Sequence, residues 1–308
     1  MNKPITYFGL DILSTFYLID MRRLFYSLLL LGSGWAAMAQ IPNPDFENWQ
    51  MAPGYEYPTG WGTVAQATNG IAVTCDKSTD KYSGNFAARL FTRDLGIARV
   101  PGLLFTGTLD LATSSVKGGF PYTQRPARLN GYYKYTAGTG DSCAVFGFLT
   151  RTRPTGARDT IAVFFWQGGS ASAYTGFSIP LSYLSSETPD TGLIVISASK
   201  DPANPAPNST LWIDVLSFEG SSDTEEATPL IPVFATPNPA RDVLRIGLAH
   251  EGPVRVWLVE STGRQVVTRL SWPGEEVPVG ALPPGAYSVL VVDARTGQLL
   301  GYTSFLRL

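Results

Sequence analysis

The chain has 308 residues, 44% hydrophobic and 12% aromatic, with a formal net charge of −2. That is enough apolar material for about two packed domains plus a targeting segment, and it excludes a disordered chain. Only 16% of the residues are charged and the balance is slightly acidic, which excludes nucleic acid or an anionic membrane as the main partner.

The first elements read as an export signal. Met21, Arg22 and Arg23 form a basic n-region, "LFYSLLLLG" an apolar h-region, and Ala37-Met38-Ala39 an A-x-A site that predicts cleavage before Gln40. Residues 1–39 are thus expected to be a signal region with its true start at Met21. The apolar run is too short for a spanning helix and leads into small residues rather than a stop-transfer cluster. No cysteine follows it to carry a lipid.

From Gln40 onward the pattern is strand-like throughout. Short runs of alternating aromatic and β-branched residues are punctuated by Gly, Pro, Asn and Asp, with no long 3.6-residue stripe. Composition shifts at "GSSDTEEATPL", Gly220 to Leu230, which is small, polar and acidic as an exposed linker should be. The expected organisation is all-β: a first antiparallel sandwich over 40–220, a linker over 221–230 and a second, smaller sandwich over 231–308. Both cysteines, Cys75 and Cys143, lie in the first sandwich. An exported chain allows one disulfide between them, and two small buried apolar groups are the equal alternative. The only histidine, His250, lies in the second, so histidine-dependent nucleophilic catalysis is excluded from the first.

Within the first sandwich, "RLNGYYKYTAGTGD" is the most informative stretch. If Leu129 to Thr136 is one strand, Leu129, Gly131, Tyr133 and Tyr135 share one face and Asn130, Tyr132, Lys134 and Thr136 the other. Tyr133 and Tyr135 then belong to the core, while Tyr132 is a ring flanked by an amide and an ammonium. In the second sandwich, "TPNPARDVLRIGL", "PVRVWLVESTGRQVV" and "ALPPGAYSVLVVDARTGQLLGYTSFLRL" predict strands with Leu244, Ile246, Val254, Val256, Leu258, Tyr287, Val289 and Val291 inward. Hairpin turns are expected at Thr262-Gly263 and Thr296-Gly297, giving a small immunoglobulin-like fold.

The order and spacing of "PNPARDVLRI", "VESTGRQV" and "LPPGAYSVLV", followed by a final strand, resemble the type A C-terminal sorting domain of type IX secretion cargo. The resemblance implies export from the periplasm across a Gram-negative outer membrane, with the secretion machinery, its sortase and surface lipopolysaccharide as partners. The implied location is secreted or on the outer-membrane cell surface. The first sandwich carries "IPNPDFENWQ", "YPTGWGTV", "YSGNFAARL" and "LWIDVLSF", and resembles jelly-roll carbohydrate-binding modules. With "RPARLNGYYKYTAGTGDS" and "FSIPLSYLSSETPD" it resembles more narrowly the putative carbohydrate metabolism domain family, which implies a jelly roll linked to glycans.

An aromatic plane with adjacent donors and acceptors suits a pyranose, which offers a C–H face and a hydroxyl rim. The candidate glycan contacts are Tyr132, Lys134, Asn130, Trp61 in "TGWG", which could equally plug one end of the sandwich, Trp166 before Gly168-Gly169, and Arg89, which a surface ion pair explains as well; Trp49 and Trp212 are expected in the core. The carbohydrate-module resemblance also implies a structural calcium between the first and last strands, matching Glu47 and Asp214, although Val215 stands where a second acid is common. An Asp satisfied by backbone amides or by an Arg is the other reading of Asp214. Three functions follow as alternatives: a non-catalytic glycan-binding module, a glycoside hydrolase using two of Glu47, Glu56, Asp141, Glu187 and Asp214, and a structural or adhesive surface protein.

Overall fold

The computed structural model describes residues 40–308 apart from 97, 111–114, 157, 202–204, 222–229 and 261–264. The signal region, nearly all of the linker and the Thr262-Gly263 turn lie outside the described residues. Among the described residues the only helix is a single turn, Val64–Ala67, and everything else regular is β-strand. No helix is long and apolar enough to cross a membrane among the described residues.

The first sandwich consists of two antiparallel sheets. One has five strands in the order Ala171–Pro180, Arg128–Thr136, Thr210–Glu219, Ala87–Phe91 and Cys75–Ser78. The other runs Ser182–Tyr183, Arg158–Gly168, Cys143–Thr152, Thr191–Ser197, Leu103–Phe105 and Gly62–Thr63, with Phe120–Pro121 also paired to Thr191–Ser197. Leu129, Tyr133, Tyr135, Leu90, Leu211 and Ile213 of the first sheet meet Leu149, Ile161, Phe164, Ile194 and Ile196 of the second in one core. The Arg128–Thr136 strand alternates half-buried and buried residues as its sequence predicts. Gly131 sits where an added Cβ would lie 2.6 Å from Phe177 Cζ and 2.7 Å from Leu216 Cδ2, so only a hydrogen fits between these two side chains.

Cys75 and Cys143 are free thiols buried in this core. This corrects the disulfide alternative: the two sulfurs are unbonded, each on a strand of a different sheet, and that of Cys143 donates to Gly168 O at 3.3 Å. Burial pushes both thiols well above their usual range.

The second sandwich pairs Val233–Thr236, Val243–Leu248 and Glu276–Pro278 in one sheet, and Gln265–Ser271, Val254–Glu260, Gly285–Asp293 and Leu299–Arg307 in another. Leu244, Ile246, Val254, Val256, Leu258, Tyr287, Val289 and Val291 form its core. The Thr296-Gly297 turn is present: Gly297 takes φ +74°, which favours glycine, and its N–H closes the hairpin on Asp293 O at 2.9 Å.

A third apolar cluster joins the two sandwiches. Phe105, Ala144, Phe146, Phe148, Val163, Phe165, Leu193 and Val195 face outward from the second sheet of the first sandwich, against Trp257, Val259, Leu290 and Val292. The Trp257 ring centre lies 5.0 Å from Phe146 and 4.9 Å from Phe165, and Trp257 is fully buried. Runs such as "CAVFGFL", "IAVFFW" and "VRVWLV" carry apolar residues on both faces because both faces are covered.

Candidate functional site

This packing leaves one broad face of the first sandwich uncovered by the second, the outer side of the five-stranded sheet. Along its Arg128–Thr136 strand stand Asn130, Tyr132 and Lys134, each half-buried. In register beside them lie Ser178 and Gly176 on one side, and Ser217, Asp214 and Trp212 on the other. Arg89 pairs with Trp212 across the next strand, and Asp76 with Arg89 beyond it.

A loop, residues 79–86, folds over this face. Its Tyr82 ring stacks on Tyr132 with centroids 3.5 Å apart and planes 10° from parallel, and Tyr174 approaches Tyr82 at 6.1 Å and 57°. One face of Tyr132 is therefore covered, and the ring turned to solvent is Tyr82, at 46% exposure. Tyr174 donates its hydroxyl to Asp80 O at 2.8 Å. Lys134 forms an ion pair with Asp80 and lies over the Trp212 ring at 4.6 Å. The result is a three-tyrosine cluster with an ammonium, a carboxylate and an indole at its edge.

The loop is fastened by two carboxylates. Glu47 Oε1 accepts the main-chain N–H groups of Asn85 at 2.6 Å and Phe86 at 2.9 Å, and its Oε2 accepts the Asn85 amide at 3.0 Å. Asp214 Oδ2 accepts the N–H groups of Tyr82 at 2.9 Å and Ser83 at 3.0 Å, while Oδ1 accepts that of Val215 at 2.9 Å. Burial raises the Asp214 carboxyl above its usual range despite these donors. Burial also acts upward on Glu47, but the N–H groups of Phe86 and Asn85 outweigh it and hold that carboxyl low. A calcium bridging Glu47 and Asp214 does not fit, because their oxygens already face N–H donors whose positive ends would repel a cation. Among the described residues no three His, Cys, Asp or Glu side chains converge as a metal set.

The other expected contacts divide between this face and the core. Asn130 belongs to the face and donates to Glu219 Oε2 at 2.7 Å while accepting from Ser178 Oγ. Arg89 also belongs to it, held by Asp76 through Nε at 2.8 Å. Trp61 does not: it is 2% exposed, tilts on Phe46 at 5.4 Å and donates Nε1 to Pro42 O at 2.7 Å. Its flanking glycines shape a turn that turns the ring inward as an end plug. Trp166 is likewise corrected, since it packs edge-on to Tyr133 at 4.8 Å and stacks on Phe177 at 4.8 Å beside the core. Trp212, expected in the core, is half-buried on the open face because its neighbours Leu211 and Ile213 take the inward positions. Trp49 does pack against the core.

Of the remaining carboxylates weighed for hydrolysis, Glu56 pairs with Lys77 at 3.0 Å and Glu187 with Arg153 at 2.8 Å. Asp141 accepts from Ser209 Oγ at 2.6 Å and Lys200 N at 3.0 Å. Tyr82 was missed by reasoning from alternation because it sits in a turn, where no period assigns it a face; the aromatic in "KYSGNF" between turn-forming residues was its only signal.

Residues 35–146 match the family described as "Putative carbohydrate metabolism domain". The match takes in Glu47, the Tyr82 loop, Tyr132 and Lys134, and ends before Asp214. No curated protein sequence matches the chain. Among solved structures, "Family 16 Carbohydrate Binding Module-2" is similar at 10% identity and TM-score 0.31, covering 49% of this chain and 88% of that one. The Spr0440 glycoside hydrolase domain, Endo-D from Streptococcus pneumoniae R6, aligns at 12% identity and TM-score 0.28, over 77% of this chain and 36% of that one. A beta-1,2-glucanase from Parabacteroides distasonis aligns at 10% identity and TM-score 0.25, over 76% and 34%. The chain thus spans about a third of the length of these two enzymes.

Proposed function

We propose that the protein is a non-catalytic glycan-binding module that holds a sugar against the Tyr82–Tyr132–Tyr174 cluster. The observation that carries this reading is an exposed aromatic plane, Tyr82, on the open face of a domain tied by family to carbohydrates. A sugar C–H face would rest on Tyr82, with Lys134, Asp80, Asn130 and Arg89 positioned to meet hydroxyls beside it. Support for a non-catalytic role comes from the carboxylates, which are each engaged by lysine, arginine, hydroxyl or N–H partners.

The test is binding of the full chain to a panel of polysaccharides, comparing wild type with Tyr82→Ala and Lys134→Ala. Stacking on an aromatic plane is worth on the order of 1 kcal/mol, so Tyr82→Ala is expected to weaken binding by roughly tenfold with little loss of stability. Equal binding by wild type and Tyr82→Ala would remove this site from the reading. Release of new reducing ends would favour the hydrolase, and capture of a protein but no glycan would favour an adhesive role.

For location we propose export by type IX secretion, with residues 231–308 as sorting domain and the secretion machinery, its sortase and lipopolysaccharide as partners. The support is the sequence pattern of the second sandwich. Loss of surface display when residues 231–308 are replaced by an unrelated sandwich is the expected outcome; unchanged display would refute it.

A further inference from the structure

We propose that Glu47 and Asp214 are positioning residues that clamp the Tyr82 loop by its main-chain N–H groups, holding the aromatic plane without a metal ion. This rests on the glycan reading for its purpose, though not for its geometry. Four amides of one short loop, those of Tyr82, Ser83, Asn85 and Phe86, point at just two carboxylates, one from near the start of the first sandwich's sequence and one from near its end. Gly84 lies between the two pairs. It takes φ +63°, and a Cβ there would meet Glu47 Oε1 at 2.2 Å, so the loop backbone is moulded directly around the carboxylate.

A second observation comes from the strand that carries Asp214. Its register against Arg128–Thr136 slips between Asn130 and Tyr132, where Ser217 pairs with Asn130 but Asp214 with Tyr132. Val215 occupies the extra position at φ +48°, a conformation that a β-branched residue rarely adopts. A bulge of this kind re-aims the neighbouring side chains. Here Leu216 turns inward to the core while Asp214, fully buried, faces the loop amides. Local backbone strain of this sort persists where surrounding contacts require it, and the contacts it serves are the two loop N–H groups. The carboxylate stands directly under the loop whose Tyr82 stacks on Tyr132, its register partner, so the clamp and the stack fix one another.

The experiment is residue-resolved amide hydrogen exchange on the full chain, as wild type, Asp214→Asn and Glu47→Gln, with calcium and with chelator. Exchange should rise by roughly tenfold, the equivalent of one lost hydrogen bond, at Tyr82 and Ser83 in Asp214→Asn and at Asn85 and Phe86 in Glu47→Gln. Wild type should be the same with calcium and chelator. Unchanged protection in both variants, or a melting temperature that rises with calcium and falls with chelator, would overturn the clamp. In glycan binding, Asp214→Asn combined with Tyr82→Ala should lose no more affinity than Tyr82→Ala alone, since both act through one plane; additive losses would overturn it. Exchange is read without glycan, so a wild type that binds no polysaccharide would sink only the proposed function.

Discussion

Replacing Trp257 by Ala tests whether the two sandwiches fold as one unit. Trp257 is fully buried between Phe146 and Phe165, and its indole Nε1 has no hydrogen-bond partner among the described residues. Truncating a buried Trp costs about 3–5 kcal/mol. Removing an unpaired buried N–H returns about 1 kcal/mol of that, which leaves about 2–4 kcal/mol. For a unit of this size each kcal/mol shifts the melting temperature by ~2–4 °C, so a fall of roughly 5–15 °C is expected. Scanning calorimetry of the full chain should show one cooperative transition in wild type and either a lower or a divided transition in Trp257→Ala. Trp272, 51% exposed on the second sandwich, is the control, with an expected shift of at most about 0.5 kcal/mol. A Trp257→Ala protein that melts with the Trp272→Ala control would refute the shared core, as would a wild type with two well-separated transitions.

Gly131→Ala forces a Cβ against Phe177 and Leu216 and should destabilise by about 1–3 kcal/mol, measured by urea unfolding; a neutral result would mean the strand shifts freely. Gly84→Ala meets both a left-handed φ and Glu47, so it should weaken glycan binding more than it lowers the melting temperature. Asp190 accepts from Thr152 N at 2.7 Å and Thr191 Oγ1 at 2.8 Å. Burial acts upward on its carboxyl, but these donors and Arg158 outweigh it and hold it low. A depressed carboxyl contributes stability above its unfolded value, about 3.9, and loses it as pH falls through the folded value. Asp190→Asn should therefore be less stable at pH 7 and show a shallower acid slope. A variant with the wild-type slope would show that Asp190 is not coupled to folding.

Much of the fold was legible in the sequence because strand period is a strong constraint. Leu129, Tyr133 and Tyr135 had to share a face once the strand was recognised, and the same held for Val254, Val256 and Leu258. The site was legible only in part. Alternation put Asn130, Tyr132 and Lys134 outward, yet it could not reveal that a loop fifty residues upstream in sequence lies on Tyr132. Trp61 adjoins glycines and Trp166 stands two residues before one, and such glycines mark turns but do not say whether a nearby ring points in or out. Trp212 follows its strand's period, and was misplaced by reading a terminal strand as wholly buried. That the second sandwich covers one sheet was written in "IAVFFW" and "VRVWLV", whose apolar residues are too continuous for a face left in water.

The two unbonded cysteines give the first sandwich a built-in record of how it opens. Thiolates, not thiols, are the reacting species, and both sulfurs are buried with their ionisation suppressed, so an alkylating reagent must wait for the structure to part. Cys75 begins an edge strand, while Cys143 begins a strand flanked on both sides by others. Their separate labelling rates would therefore time the peeling of an edge against the breaching of an interior, within one molecule and without any added probe.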